Sequence, residues 1–99
     1  MEINVKTNAN ERIIAIKGRL DTLTAPELQP TLLEAVKMNK KTVLDCYELE
    51  YVSSAGLRVL LMAEKSAKAG ASDLIIRNVS AEIREIFDMT GFSGILTIE

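Results

Sequence analysis

Few residues in this chain could do chemistry, and their types narrow what that chemistry is. Two serines stand in tandem, Ser53 and Ser54, followed by Ala55 and Gly56 and then by the strongly apolar run from Leu57. Two carboxylates, Asp21 and Asp45, each follow an extended apolar run. There is no histidine and a single cysteine, Cys46. Without histidine, no serine or cysteine has an imidazole base to activate it, so Ser-His and Cys-His relays are excluded. The same shortage leaves no donor set for a structural zinc. A carboxylate site for magnesium is the metal chemistry that remains. Cys46 lies in an extended run and is expected to be a small buried hydrophobe, with no intrachain disulfide to form. A serine without a base can still cap a helix, or accept a phosphoryl group from another protein.

Charge and composition exclude further classes. The formal net charge is −2, which offers neither a basic footprint for nucleic acid nor a polybasic patch for anionic lipid. Tryptophan is absent and aromatics make up 4%, so stacking platforms for single strands or sugars are poorly supplied. The 47% of hydrophobic residues are spread along all 99 positions, as in one soluble domain around one core. The longest apolar run, Val59 to Ala63, falls far short of the roughly 20 residues of a membrane span. The start of the chain alternates polar with apolar and is not read as a signal peptide. The expected location is cytoplasmic, with no membrane and no nucleic acid as partner.

The elements that must position these groups follow from periodicity. Residues 2–7 alternate, and Arg12 to Lys17 form a β-branched run, so two strands are expected around a polar turn at Asn8–Glu11. Gly18 to Thr22 ends the second. Thr24-Ala25-Pro26-Glu27 fits a capping box, and Leu28, Leu32, Leu33 and Val36 give a helical stripe. Pro30 conflicts with that start, so the helix is expected to begin later, near Gln29, or to kink. Thr42 to Cys46 reads as a short strand. A helix from Leu57 buries Leu57, Leu60, Leu61 and Met62, shows Glu64, Lys65 and Lys68 as its polar face, and ends at Gly70. Residues 73–78 form another strand. Ser80 caps a helix with Ile83, Ile86 and Phe87 inward, Gly91 ends it, and residues 95–98 form a last strand. The order β-β-α-β-α-β-α-β predicts a single α/β domain over residues 1–99, a mixed, mostly parallel sheet with helices packed on it.

In such sheets reactive groups gather beyond the carboxyl ends of strands. Asp21 and Thr22, Asp45, and Ser53 and Ser54 are all expected there. The ordinary roles are strong: an Asp at a strand end caps a turn, and a serine before an apolar helix is its N-cap. Yet a cap needs one hydroxyl, and here there are two. Glycine in a first turn costs up to about 1 kcal/mol relative to alanine, a cost that makes sense where another surface approaches the backbone. A helix start also favours a phosphate, through free N–H groups and the dipole.

The stretch from Leu49 to Leu57, LEYVSSAGL, resembles the signature of the STAS domain family, and more narrowly of the bacterial anti-sigma factor antagonists. Their motif runs from an Asp, here Asp45, to a phosphorylatable serine followed by a small residue, Gly and Leu. Ser54 falls on the phosphoacceptor, with Ser53 the less favoured alternative, and Gly56-Leu57 on the end of the motif. Gly18-Arg19-Leu20-Asp21, Asn78-Val79 and Thr90-Gly91-Phe92 also resemble family positions, so the similarity spans the whole chain. It departs at Ser53, where the family often has aspartate.

The resemblance implies partner switching without catalysis, cofactor or bound metal. The unphosphorylated protein would bind a serine-kinase anti-sigma factor and free a sigma factor. Phosphorylation of Ser54 would break that complex, and a metal-dependent serine phosphatase would restore it. Asp21, Thr22, Ser53, Ser54, Ala55, Gly56, Leu57 and Arg58 would form the partner-binding surface. The alternatives are a non-phosphorylated STAS scaffold or ligand-sensing module in a larger complex, a phosphoaspartate receiver with Asp45 as acceptor, and an enzyme using Asp21 and Asp45. The receiver also needs acidic residues after the first strand and a lysine near the last, which this chain lacks.

Overall fold

The computed structural model describes residues 1–99. Strands β1 (Glu2–Thr7) and β2 (Glu11–Leu20) form the expected antiparallel hairpin, with Ile3 opposite Ile16 and Val5 opposite Ile14. Helix α1 (Ala25–Met38), strand β3 (Lys41–Val52), helix α2 (Ser54–Ala69), strand β4 (Asp73–Arg77), helix α3 (Ala81–Thr90), a 3-10 turn (Phe92–Gly94) and strand β5 (Thr97–Ile98) follow. The element order is the predicted one. The sheet runs β1-β2-β3-β4-β5, and every pairing after the first is parallel.

Strand periodicity explains the layers. Ile14 and Ile16 of β2, Leu44 and Cys46 of β3, and Leu74 and Ile76 of β4 point to one face. There they meet Leu28, Leu32 and Val36 of α1, Leu60, Ala63 and Ala67 of α2, and Ile83 and Phe87 of α3 in one cluster. The alternate residues Ile13, Val43 and Ile75, in register across β2, β3 and β4, lie on the opposite face. Phe87 is fully buried and anchors α3, which Ser80 caps by accepting a hydrogen bond from the Ile83 N–H at 3.2 Å. Gly91 ends α3 in the left-handed region at φ 81°, as expected.

Several boundaries differ from the sequence reading, each for a local reason. Strand β3 does not stop at Cys46 but continues to Val52 through two bulges, one residue gained between the Asp45 and Glu48 pairings and another between Leu49 and Tyr51. Asp45 is therefore mid-strand, not at a strand end. Its Oδ1 accepts from the Tyr47 N–H and the Asn78 side chain, at 3.1 and 3.0 Å. Strand β2 likewise runs on past Gly18, whose φ of 105° suits only glycine, to Leu20. Helix α1 starts at Ala25, not near Gln29. Pro30 is tolerated inside it because the carbonyl it leaves unbonded, that of Pro26, belongs to an exposed residue on the solvent side. The capping box does not form: the Thr24 side chain turns back instead, accepting from the Asp21 N–H and donating to the Arg19 carbonyl. Gly70 ends α2 without a positive φ, which falls on Ala71 at 56°. The last strand shrinks to two residues because the Ile95 and Leu96 N–H groups bond back to Phe92.

Helix α2 also redistributes its faces. Met62 is exposed and Leu61 half-buried, whereas Glu64, expected on the polar face, is 6% exposed. It follows Leu60 by four and precedes Ala67 by three, which places it in the buried stripe. Its Oε1 has no hydrogen-bond partner, and Oε2 reaches Lys68 Nζ only at 3.9 Å. Glu64→Met is therefore expected to stabilise the fold by about 1 kcal/mol or more. Thermal unfolding checks this, as an upward midpoint shift of about 4–8 °C per kcal/mol.

Candidate functional site

The tandem serines take separate jobs. Ser53 is extended, at φ −94° and ψ 177°, and its Oγ accepts from the Gly56 N–H at 3.3 Å: it is the N-cap. Its own N–H donates to the Leu20 carbonyl at 2.9 Å, which ties the start of α2 to the end of β2. Ser54 is the first residue of α2, exposed, and its hydroxyl enters no side-chain hydrogen bond. No acidic residue follows in the first turn of α2.

Gly56 is needed inside the molecule rather than outside. It is buried, and a Cβ there would lie 2.7 Å from Leu20 Cγ, 2.8 Å from the Leu20 carbonyl oxygen and 2.9 Å from Val52 Cγ2. The expected approach to its backbone is real, but β2 and β3 of the same chain make it. Leu57 is likewise 7% exposed and belongs to the core, so Gly56 and Leu57 shape the surface from below. Ala55 is half-buried and Arg58 exposed.

Asp21 builds the neighbouring turn. Its Oδ1 accepts from the Leu23 N–H at 3.1 Å, the Thr24 N–H at 3.2 Å and the Thr24 hydroxyl at 3.2 Å, and its Oδ2 lies 3.7 Å from Arg19 Nε. The Thr24 N–H hydrogen bond above all, with those from Leu23 and the Thr24 hydroxyl and the Arg19 charge, holds the carboxyl below its ordinary value against an opposing desolvation. A carboxylate so depressed lends stability above its unfolded pKa of about 3.9 and loses it as pH falls through the lower folded value. Urea midpoints between pH 2 and 6 are expected to drop less steeply below about pH 4 for Asp21→Asn, which keeps the acceptor and removes the charge.

Two shallow grooves flank the start of α2. Thr22, Ala25, Pro26 and Gln29 face Ala55, Arg58, Val59 and Met62 across the first. Ser54, Leu57, Arg58 and Leu61 face Thr90 and Phe92 across the second. The structure thus brings Thr22, Ser54, Ala55 and Arg58 to one end of the molecule, with Asp21 bracing the turn and Ser53 the cap. Asp45 is held on the open sheet face instead, by the contacts of β3. Leu23, 85% exposed on the Asp21 turn, and Tyr51, whose ring lies 4.3 Å beneath the Arg19 guanidinium, are not expected there from the sequence. The signal for Leu23 was a large apolar residue in a tight polar turn. Tyr51 had none, because the bulges set its direction. Cys46 is fully buried, and burial, then the Asp45 charge, pushes its thiol up to about 12, an inert packing group as expected.

A mixed sheet with helices on one face, and an exposed serine opening the helix beside its N-cap, defines the fold and the candidate site. The chain belongs to the STAS domain family: the family model described as Mlab, STAS domain, matches residues 3–97. The anti-sigma-B factor antagonist of Listeria monocytogenes is 31% identical over 102 residues, covering 100% of this chain and 89% of that protein. The fold is similar to the crystal structure of an anti-sigma factor antagonist from Mycobacterium paratuberculosis, with TM-score 0.86 and 18% identity over 98% of this chain and 83% of that one. It is also similar to the Bacillus cell fate determinant SpoIIAA in its phosphorylated form, with TM-score 0.76 and 17% identity over 99% and 91%. No helix is long and apolar enough to cross a membrane.

Proposed function

We propose that this protein is an anti-sigma factor antagonist that works by partner switching, with Ser54 as the phosphoacceptor. The observation that carries the reading is the division of labour at the start of α2: Ser53 holds the helix, and Ser54 offers a free, exposed hydroxyl. The family membership and the relatives' own names support it. In the cytoplasm, the unphosphorylated form binds a serine-kinase anti-sigma factor through the surface around Thr22, Ser54, Ala55 and Arg58, and the sigma factor is released. The kinase then transfers the γ-phosphoryl group of ATP: the Ser54 Oγ–P bond forms, the bond to the β-phosphate oxygen breaks, ADP leaves, and the hydroxyl proton passes to a base on the kinase. A metal-dependent serine phosphatase returns the hydroxyl by hydrolysis.

The dianion needs no unfolding to act. It adds roughly −1.5 to −2 charges to a surface packed against a partner, where desolvation and like-charge repulsion oppose it. The helix dipole meanwhile favours the anion by about 0.3–1 kcal/mol, so the modified domain stays folded. The test is phosphosite mapping by mass spectrometry on protein isolated from its own cells. Phosphate on Ser54 supports the reading, and phosphate confined to another residue, or none under any growth condition, sinks it.

A further inference from the structure

The groove between α2 and α3 carries more than its share of the site. Its walls include Leu57, Leu61 and Phe92, and it is about 260 Å³ in volume, below the roughly 300–1,000 Å³ of clefts that take small ligands. One charge stands in it, Arg58. None of the six ion pairs in the molecule uses Arg58, and the first turn of α2 has no acid to neutralise it. Arg19, the nearby alternative, is engaged by Asp21 and the Tyr51 ring. An apolar groove with one unpaired cation at its rim is complementary to an apolar side chain with a carboxylate beside it. Arg58 also follows Ser54 by four residues, so the two are neighbours on the helix surface, and both line this groove.

We propose that this groove receives an apolar side chain of the anti-sigma factor whose adjacent carboxylate pairs with Arg58, and that phosphate on Ser54 breaks the complex by capturing that arginine. The inference rests on Ser54 being the phosphoacceptor. A guanidinium binds carboxylate and phosphate in the same bidentate manner, and a dianion outcompetes a single carboxylate for it. One modification then both removes the partner's counter-charge and sets a repulsive group against its carboxylate.

The test uses the full chain, with and without phosphate on Ser54, and the serine kinase that modifies it. Arg58 is exposed, so Arg58→Gln is expected to fold. It should weaken the unphosphorylated complex at least tenfold and shrink the loss of affinity caused by phosphorylation by a similar factor. Leu61→Asp should also weaken the complex, whereas Met89→Asp, at an exposed position of α3 outside the groove, should not. In the isolated phosphoprotein, phosphorus NMR should show the second phosphate titration at higher pH in Arg58→Gln than in wild type, because the pairing cation is gone. An Arg58→Gln variant with unchanged affinity and unchanged phosphate titration overturns this inference and leaves the phosphoacceptor reading standing. A wild-type protein whose affinity ignores phosphate on Ser54 overturns both.

Discussion

Ser54→Glu is expected to lower affinity for the anti-sigma kinase at least tenfold, about 1.4 kcal/mol, while Ser54→Ala binds as tightly as wild type and takes up no phosphate. Full phosphorylation should do more than glutamate, because it brings nearly twice the charge. Reversing a two-state partner choice from 1:99 to 99:1 needs about 5.5 kcal/mol of differential affinity, and in the proposed switch the modified serine, the captured arginine and the desolvation of the interface would act together toward it. The stability readout separates the two serines. Ser53→Ala loses the hydrogen bond to the Gly56 N–H and should cost about 0.5–2 kcal/mol. Ser54→Ala removes a hydroxyl without a partner at an exposed position and should stay within about 0.5 kcal/mol of wild type. Urea denaturation and kinase labelling of both variants check this. If Ser54→Ala is the less stable variant, or still incorporates phosphate, the division of roles is wrong.

The second large effect is expected at Gly56. Helix propensity alone predicts that Gly56→Ala stabilises the protein by about 1 kcal/mol. Packing predicts the reverse, and packing should win. The three atoms an added Cβ meets are all closer than 3 Å, and one of them is the Leu20 carbonyl oxygen, which cannot move without shifting the strand. Overpacking of this kind costs about 1–3 kcal/mol beyond any propensity gain. The shift also strains the bond from the Ser53 N–H to that same carbonyl, so faster amide exchange at Ser53 should accompany a lower urea midpoint. A Gly56→Ala variant more stable than wild type would show that β2 and α2 can separate freely.

Much of this fold was legible in the sequence because its signals are local. The Ser80 cap, the Gly91 stop and the Ile83–Phe87 spacing define α3 almost to the residue. What was illegible came from contacts across the sheet. In β3 the inward residues Cys46, Leu49 and Val52 recur every three positions rather than every two, because each bulge inserts a residue, so the alternation that announces a strand is lost after Cys46. Thr24 reads as a cap until the Arg19 carbonyl claims its hydroxyl. Glu64 reads as solvent-facing by type, although its spacing from Leu60 and Ala67 already placed it inward. At the candidate site, the tandem serines do stand where α2 begins. Which one caps depended on where the helix begins, and the groove depended on α3 folding back to set Thr90 and Phe92 beside Arg58.

The single hydrogen bond from Ser53 to Leu20 has a kinetic meaning. With Gly56 pressed against the same residue, it fastens the serine turn to the strand from which the Asp21 turn emerges, and that second turn is itself closed by hydrogen bonds from Leu23 and Thr24. The two loops therefore stand in fixed relation, and a protein docking as proposed would have little chain entropy left to remove. Under the proposed switch, phosphate on Ser54 should then act through charge and not through loop ordering, so its effects on encounter rate and on residence time should both shrink as salt is raised.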